Sequence, residues 1–377
     1  MEFTVSSSEL LRGLMSVSRV IVSKPSLAIL EDFLFVLKEN VLTVTASDGE
    51  TTLKTCLPIE QVAEEGEIAV PAKLLTDSLK EFPDLPLTFL TTNKGENPMM
   101  DITWANGASK IPCFPAQDFP ELPSISDISE SLTISAATLL DGINYTIYAT
   151  AEEELRPVMN GIFFDIDTDS TTFVASDAHK LVCFSFKGAV VSQKSSFILH
   201  KKPASILKGI LTKSTGDVVI KFDNKNAYFT FDENILVCRL IEGNYPAYKT
   251  VIPKNNNNKL TIARTDLLNV AKRVAVCSNQ AANQIKLELS ENMAIVSAED
   301  LSFSISAHEQ LPCQYDGDPM VIGFKAPFLI EILNNIPYQD ICIELSDPGR
   351  AVLIVSADTE HNDEEIYALL MPVLINS

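Results

Sequence analysis

The chain has 377 residues, and its 29 Lys and Arg stand against 50 Asp and Glu for a formal charge of −21. Such a balance keeps a protein soluble and repels bare nucleic acid on average. Its 14 glycines are sparse for an enzyme that cradles phosphates on backbone amides, and no apolar stretch reaches the length of a bilayer span.

The segment Phe3-Thr4-Val5-Ser6 predicts a strand that feeds a helix. Ser6 and Glu9 stand at capping-box spacing, and Leu10, Leu11, Leu14 and Val17 recur at helical spacing. Strands are expected at Phe33 to Leu37 and Val41 to Thr45. Ile68-Ala69-Val70-Pro71-Ala72-Lys73 predicts a short strand ending in lysine, followed by the helical pattern Leu74, Leu75, Leu79. Pro120 to Asp127 resists both helix and sheet and predicts a linker.

The whole pattern then returns. Leu132-Thr133-Ile134-Ser135 repeats the opening phrase, with Leu139, Leu140 and Ile143 on the helix behind it. Strands are expected at Gly161 to Ile166 and Thr172 to Ser176. Phe197 to Lys202 repeats the lysine-ended strand before Ile206, Leu207, Ile210 and Leu211. After a second linker at Pro253 to Lys259, the phrase returns as Leu260-Thr261-Ile262-Ala263, with Leu267, Leu268, Ala271 and Val274 behind it. The marker strand recurs as Val321 to Lys325, before Phe328, Leu329, Ile332 and Leu333.

Three ordered markers in three copies (these two, and Val44 to Asp48 matched by Phe173 to Asp177 and more loosely by Ile295 to Asp300) predict tandem domains of one design at 1–124, 129–253 and 259–377. Each reads as two helices and about eight strands, in the order βαβββ twice, an α+β class with helices packed on antiparallel sheets.

Catalytic signals are weak. The four histidines (His179, His200, His308, His361) lack metal spacing, and the seven cysteines contain no C-x-x-C pair. The cysteines read as small buried hydrophobes in a reducing compartment. With no basic-then-apolar leader at Glu2, the expected location is the cytoplasm. Ser176-Asp177-Ala178-His179-Lys180 could form a nucleophile and base. The first repeat carries Ser47-Asp48-Gly49-Glu50 at the same place, which favours a shared turn. A third reading, an exported adhesive array of tandem domains, is opposed by the missing leader and the cysteines.

Several segments in order resemble the bacterial sliding clamp family, the beta subunit of DNA polymerase III. They are Met1 to Val5, Lys24-Pro25-Ser26-Leu27-Ala28-Ile29-Leu30, Arg156 to Gly161, Ala175 to Leu181, Glu242 to Tyr248, and Met371-Pro372. The resemblance covers the whole chain. It implies three tandem clamp domains closing as a head-to-tail dimeric ring around duplex DNA, a non-catalytic processivity factor without cofactor or metal.

The partners it implies are DNA held topologically and without sequence preference, a second copy of the chain, and the replicative polymerase, clamp loader and repair proteins, which dock through short linear motifs. No membrane is implied. The residues carried over to a peptide pocket are Met159, Ser176, His179, Lys180, Leu181, Pro246, Thr250, Val251, Met371, Pro372, Val373 and Leu374, with His179 and Lys180 orienting the peptide at the edge. Those expected to face DNA are Arg12, Arg19, Lys24, Lys73, Lys80, Lys201, Lys202, Lys208, Lys272, Arg273 and Lys325. At the dimer seam Ile111 is expected to face Val276 and Cys277. The chain departs from the family in having Ala178 where glycine is common, Thr250 and Leu374 where arginine is common, and Ser109 where an aromatic is common. Less positive charge in the pocket and a seam leaning on strand pairing and charge pairs are the expected consequences.

Overall fold

The computed structural model describes residues 1–92, 98–121, 130–188, 191, 193–358 and 363–375. Positions 122–127 of the first linker, His361, Asn376 and Ser377 lie outside the described residues.

The first repeat runs β1 (Glu2–Ser6), α1 (Ser7–Val17), β2 (Asp32–Lys38), β3 (Val41–Ser47), β4 (Thr51–Pro58), β5 (Gln61–Glu64), β6 (Gly66–Pro71), α2 (Ala72–Lys80), β7 (Pro86–Thr92), β8 (Met99–Trp104) and β9 (Gly107–Pro112). The second is β10 (Glu130–Ser135), α3 (Ala136–Thr146), β11 (Gly161–Ile166), β12 (Ser170–Ser176), β13 (Lys180–Lys187), β14 (Ser195–His200), α4 (Lys201–Leu211), β15 (Asp217–Phe222), β16 (Asn226–Phe231) and β17 (Asn234–Arg239). The third is β18 (Asn258–Ala263), α5 (Arg264–Ala275), β19 (Gln284–Ser290), β20 (Met293–Asp300), β21 (Ile305–Pro312), β22 (Gln314–Asp316), β23 (Met320–Lys325), α6 (Ala326–Asn335), β24 (Asp340–Leu345), β25 (Val352–Ser356) and β26 (Glu364–Leu370). The doubled βαβββ order holds in all three, with the short strands β5 and β22 added in the first and third.

Local chemistry explains the helix starts. The Ser6 hydroxyl accepts from the Glu9 amide at 3.3 Å, which is the N-cap half of the expected box. Ser135 caps α3 in the same way, accepting from the Thr138 amide at 3.0 Å. Leu10, Leu14 and Val17 of α1 are buried, as are Leu267, Leu268, Ala271 and Val274 of α5. In α3, Gly142 costs helix propensity but serves packing. A Cβ there would lie 2.8 Å from the Phe173 ring. The second linker is not slack, because the Asn256 side-chain amide donates to the Glu344 and Ala351 carbonyls at 2.9 and 3.1 Å.

By contacts the chain forms two compact units, Met1–Leu140 with Ser205–Leu240, and Asp141–Ala204 with Ile241–Ser377. The first holds a five-stranded sheet ordered β5-β1-β7-β8-β9 and an eight-stranded sheet ordered β10-β15-β16-β17-β4-β3-β2-β6. The second holds a nine-stranded sheet ordered β14-β11-β12-β13-β26-β25-β24-β18-β22 and a four-stranded sheet ordered β21-β20-β19-β23. The ladders are antiparallel, including the two that join successive repeats. In the first unit β4 pairs with β17, and in the second β13 pairs with β26. The second repeat is thus divided between the units, because each of its halves shares a sheet with a different neighbour. The second unit's core is rich in rings. Phe164 stacks on Phe197 at 4.3 Å and tilts onto Phe173 at 4.4 Å, and Phe184 and Phe186 complete the cluster.

Candidate functional site

The turn between β12 and β13 is built by side chains that satisfy their own backbone. The Ser176 hydroxyl donates to the Lys180 carbonyl at 2.9 Å and accepts from the Ala178 amide at 3.2 Å. Asp177 Oδ1 accepts from the His179 and Lys180 amides, both at 2.9 Å. The first repeat uses the same device, with Asp48 Oδ1 accepting from Glu50 and Thr51 and the Ser47 hydroxyl from the Gly49 amide. Ser176 is therefore committed to the turn, and the nucleophile reading is set aside. Ala178 holds φ +72°, where glycine is favoured. Ala178→Gly is expected to raise stability by about 1 kcal/mol, read by denaturant unfolding, without changing ligand binding.

Lys180 corrects one sequence-based expectation. It does not sit at the edge of a groove but is buried, with a side chain only 4% exposed. Its Nζ pairs with Asp177 Oδ2 at 2.7 Å and Glu331 Oε2 at 2.9 Å, and lies 4.5 Å from the Phe328 ring centroid. The neighbouring His179 is exposed and stacks on the other part of this device, its ring 5.3 Å from that of Phe328. Phe328 and Glu331 come from α6, an element that no sequence pattern places here.

The C-terminal segment joins the same edge. β26 lies beside β13, with Lys180 opposite Leu370 and Leu181 opposite Leu369. The Met371 amide then donates to the His179 carbonyl at 2.9 Å, and the Val373 amide to the Gly323 carbonyl at 2.9 Å. Met371 and Leu374 are left exposed, Leu374 by 83%. Pro372 and Val373 are half-buried.

The third wall is the segment 245–251. Tyr245 stacks on Phe163 at 4.7 Å, and the Tyr248 ring meets Phe163 edge-on at 6.3 Å. The Tyr248 hydroxyl donates to Asp165 Oδ2 at 2.7 Å, and Lys249 Nζ lies 2.8 Å from the same oxygen. Burial pushes both tyrosine hydroxyls well above their ordinary range, and the Asp165 hydrogen bond and charge add to this at Tyr248. With these anchors fixed, Pro246, Thr250 and Val251 stay exposed. Beneath them Leu181, Val174, Cys183, Tyr248 and Leu369 form one buried cluster, against which Ile252 and Tyr245 pack.

The structure thus brings together an apolar, partly exposed surface from three chain segments of the second unit. Leu181 and Met159 are buried, and Leu181 belongs to the cluster beneath the surface. Sequence reasoning missed Tyr245 and Tyr248 as supports, although both fall in the Glu242 to Tyr248 phrase. It missed Asp165, Phe328 and Glu331 altogether.

The expected DNA-facing cations are mixed in state. Arg12, Arg19, Lys24, Lys73, Lys208 and Lys272 are exposed. Lys80 pairs with Asp77, Lys201 with Glu152, and Arg273 makes a two-pronged pair with Glu309. Arg156 likewise pairs with Glu153 at 3.0 Å. Lys325 leans over Phe328 at 5.7 Å. All seven cysteines are free. Burial pushes the Cys113 and Cys183 thiols up to about 12, which leaves them inert. Among the described residues no helix is long and apolar enough to cross a membrane.

Comparison with known proteins agrees with this architecture. The chain is 27% identical to the beta sliding clamp of Vibrio cholerae, over 99% of this chain and 100% of that one. It is 27% identical to that of Escherichia coli K12, over 96% and 97%. The crystal structure of a sliding clamp (DNA polymerase III subunit beta) from Pseudomonas aeruginosa bound to griselimycin superposes with a TM-score of 0.93 at 26% identity, covering both chains fully. A clamp from Bacillus subtilis, at 20% identity and a TM-score of 0.91, shares the fold. Models of the N-terminal, central and C-terminal domains of the DNA polymerase III beta subunit match residues 1–123, 133–247 and 249–374 in that order. With its repeats, its shared sheets and nearly its full length accounted for, the chain belongs to the DNA polymerase III beta subunit family.

Proposed function

We infer that this chain is a sliding clamp. It is a non-enzymatic processivity factor that encircles duplex DNA as a head-to-tail homodimer and tethers the replicative polymerase, clamp loader and repair proteins. The observation that carries this reading is the repetition of one joint. Two boundaries between repeats are made by the same two strands of the βαβββ motif, β4 with β17 and β13 with β26. The equivalent strands β9 and β21 are left at sheet edges. Identical heterologous ends that close on themselves form a ring. A ring holds DNA by topology, so strong phosphate contacts are unnecessary and would impede sliding. A net charge of −21 with scattered exposed cations suits that role. The cytoplasm, where replication takes place in bacteria, is the proposed location.

The peptide site is proposed at the surface formed by His179, Pro246, Thr250, Val251, Met371 and Leu374, with Pro372 and Val373 beside them and Met159, Ser176, Lys180 and Leu181 as its support. Met, Val, Leu and Pro offer an adaptable apolar seat for leucine or phenylalanine anchors. The buried Lys180 is neutralised from two sides, so the site selects by apolar fit rather than by charge.

The test is topological. Protein loaded on nicked circular DNA is expected to stay bound through gel filtration and to be released when the circle is linearised. Binding to linear DNA is expected to show a shallow salt slope, well below that of a binder with six to ten phosphate contacts, whose affinity falls about 10³- to 10⁵-fold between 50 and 200 mM salt. Equal retention on circles and linear DNA would defeat the reading.

A further inference from the structure

The last hairpin of the third repeat comes apart where its counterparts stay closed. We propose that the cleft this leaves between β25 and β26, beside Tyr338, docks an extended, arginine- or lysine-rich segment of a partner protein. The cleft lies wholly within the second unit and shares no residue with the surface proposed for apolar anchors. The proposal goes beyond the clamp reading and does not rest on it.

The break shows when the repeats are compared. From Phe3, Leu132 and Leu260 of the repeated phrase, the ladders lead through Phe89, Ile220 and Ile343 to Ile102, Phe229 and Ile354. These oppose Ser109, Leu236 and Ala368, which are therefore matching rungs. In the first repeat the hairpin runs on toward its turn, with Thr103 opposite Ala108 and Trp104 opposite Gly107. In the second, Thr230 opposes Ile235 and Phe231 opposes Asn234. In the third, the pairing of β25 with β26 stops at Ile354 and Ala368. The next rungs would join Val355 to Tyr367 and Ser356 to Ile366.

Neither strand ends there. β25 stays on β24, with Ser356 opposite Ile341 and the Ala357 amide donating to the Asp340 carbonyl at 3.1 Å. β26 stays on β13 as far as Glu364, and the Lys187 amide donates to the Asp363 carbonyl at 3.0 Å. The opening thus has an intact ladder on each side. Successive residues of a strand bond to opposite neighbours. Ala357 bonds to β24, so Ser356 turns its amide and carbonyl toward the gap. On the far side the Tyr338 hydroxyl stands in for the missing rung. It accepts from the Ile366 amide at 3.1 Å and donates to the Ile366 carbonyl at 3.3 Å.

The gap opens into a cavity of about 860 Å³, a normal size for a ligand site. Ser185, Leu353 and Val355 form part of its wall. Tyr338, Asp363, Glu364 and Ile366 also line a smaller hollow of about 380 Å³, together with Tyr145 and Pro337.

Charge says which segment fits. Glu344, Asp358, Asp363, Glu364 and Glu365 line the larger cavity, and Lys187 is the basic residue of its described lining. Asp141 on α3 adds a further negative charge. Burial holds the Asp141 and Glu364 carboxyls above their usual range, and the charge of Asp141 adds to this at Glu364. Burial first and neighbouring carboxylates second push the Tyr145 and Tyr338 hydroxyls up. An acidic surface alone would gather only a diffuse cloud of counterions. Here the carboxylates line a walled opening that also holds two tyrosine rings and an unpaired strand edge. A guanidinium or ammonium can bond a carboxylate and lie against a ring. The backbone of an extended segment can meanwhile pair with the edge that Ser356 presents. An acidic segment would be repelled, and an apolar one would strip water from carboxylates without pairing them.

The experiment uses the full chain and a short labelled peptide in which arginine alternates with threonine and valine. Its control carries citrulline, similar in shape but uncharged, at each arginine. In fluorescence anisotropy at low salt, the arginine peptide is expected to bind at least about tenfold tighter than the control. Asp141→Asn with Glu364→Gln is expected to weaken it about tenfold. That pair keeps the fold, because both changes relieve a charge that burial disfavours. Ser356→Pro removes the amide facing the gap and no bond to β24, and a loss of about fivefold is expected. Glu60→Gln with Glu81→Gln removes exposed charge from the other unit and is expected to change nothing, as is Val251→Asp. Equal binding of the two peptides, or no binding of the arginine peptide at millimolar concentration, overturns the proposal. So does undiminished affinity in either cleft variant. An equal loss from Glu60→Gln with Glu81→Gln would reveal diffuse attraction to net charge and overturn it as well.

Discussion

Asp177→Ala is expected to destabilise the second unit by about 3–5 kcal/mol, the usual loss when a buried charge is deprived of its partner. Asp177 serves three groups at once. Its Oδ1 accepts two backbone amides, and its Oδ2 meets the Lys180 ammonium at 2.7 Å. Lys180 is buried under Phe328, so it cannot recover a full water shell without opening the turn. Glu331 remains, but it is half exposed and offers a weaker, partly screened field. Asp177→Asn keeps an acceptor for the amides and loses only the charge, so a smaller loss is expected. Glu331→Gln should cost least. Because a multidomain chain need not unfold in a single two-state step, hydrogen exchange at the amides of residues 177–181, read with the first denaturant transition, is the suitable measurement. If Asp177→Ala left both unchanged, the buried pair would have no part in holding the turn. The proposed peptide site would then lack the support assigned to Ser176 and Lys180.

The second large effect concerns binding rather than stability. Val251→Asp is expected to weaken binding of a labelled peptide with leucine and phenylalanine anchors about 100-fold, measured by fluorescence anisotropy. An apolar anchor would have to desolvate the new carboxylate without offering it a partner. Val251 is itself 55% exposed, so the change should move stability by no more than about 0.5 kcal/mol. Leu374→Ala tests the opposite wall and is expected to cost about tenfold, the scale of one truncated anchor contact. Undiminished binding to Val251→Asp would remove this surface from consideration. The anchors beneath it make the test clean. Tyr248 is held by Asp165 and Tyr245 by Phe163, and neither depends on residue 251.

Much of this was legible before any coordinate. The phrase beginning at Phe3, Leu132 and Leu260 located three domains, because a repeated βαβββ unit must reuse the same apolar period and the same helix cap. The strand at Gly161–Ile166 fell on its predicted limits. The apolar stripe of α5 is buried where helical spacing placed it. These features are local: a few neighbouring residues contain all the information that sets them. The proposed peptide site was legible only in outline. Val251, Met371 and Leu374 read as an apolar seat, and they do stand exposed.

Other features were settled only in three dimensions. Lys180 reads as a surface cation, yet α6 brings Glu331 and Phe328 over it and makes it part of the interior. Arg273 reads as available to DNA, yet β21 supplies Glu309 to neutralise it. In both cases the deciding partner is remote in sequence, and a charge's role depends on what lies within a few ångströms of it. The sequence by itself determined that one motif is used three times, since periodicity and capping are short-range. The tertiary structure alone decided which strands of that motif join, in what register, and which two are left at the edges, since pairing between distant strands is chosen by packing and not by local propensity.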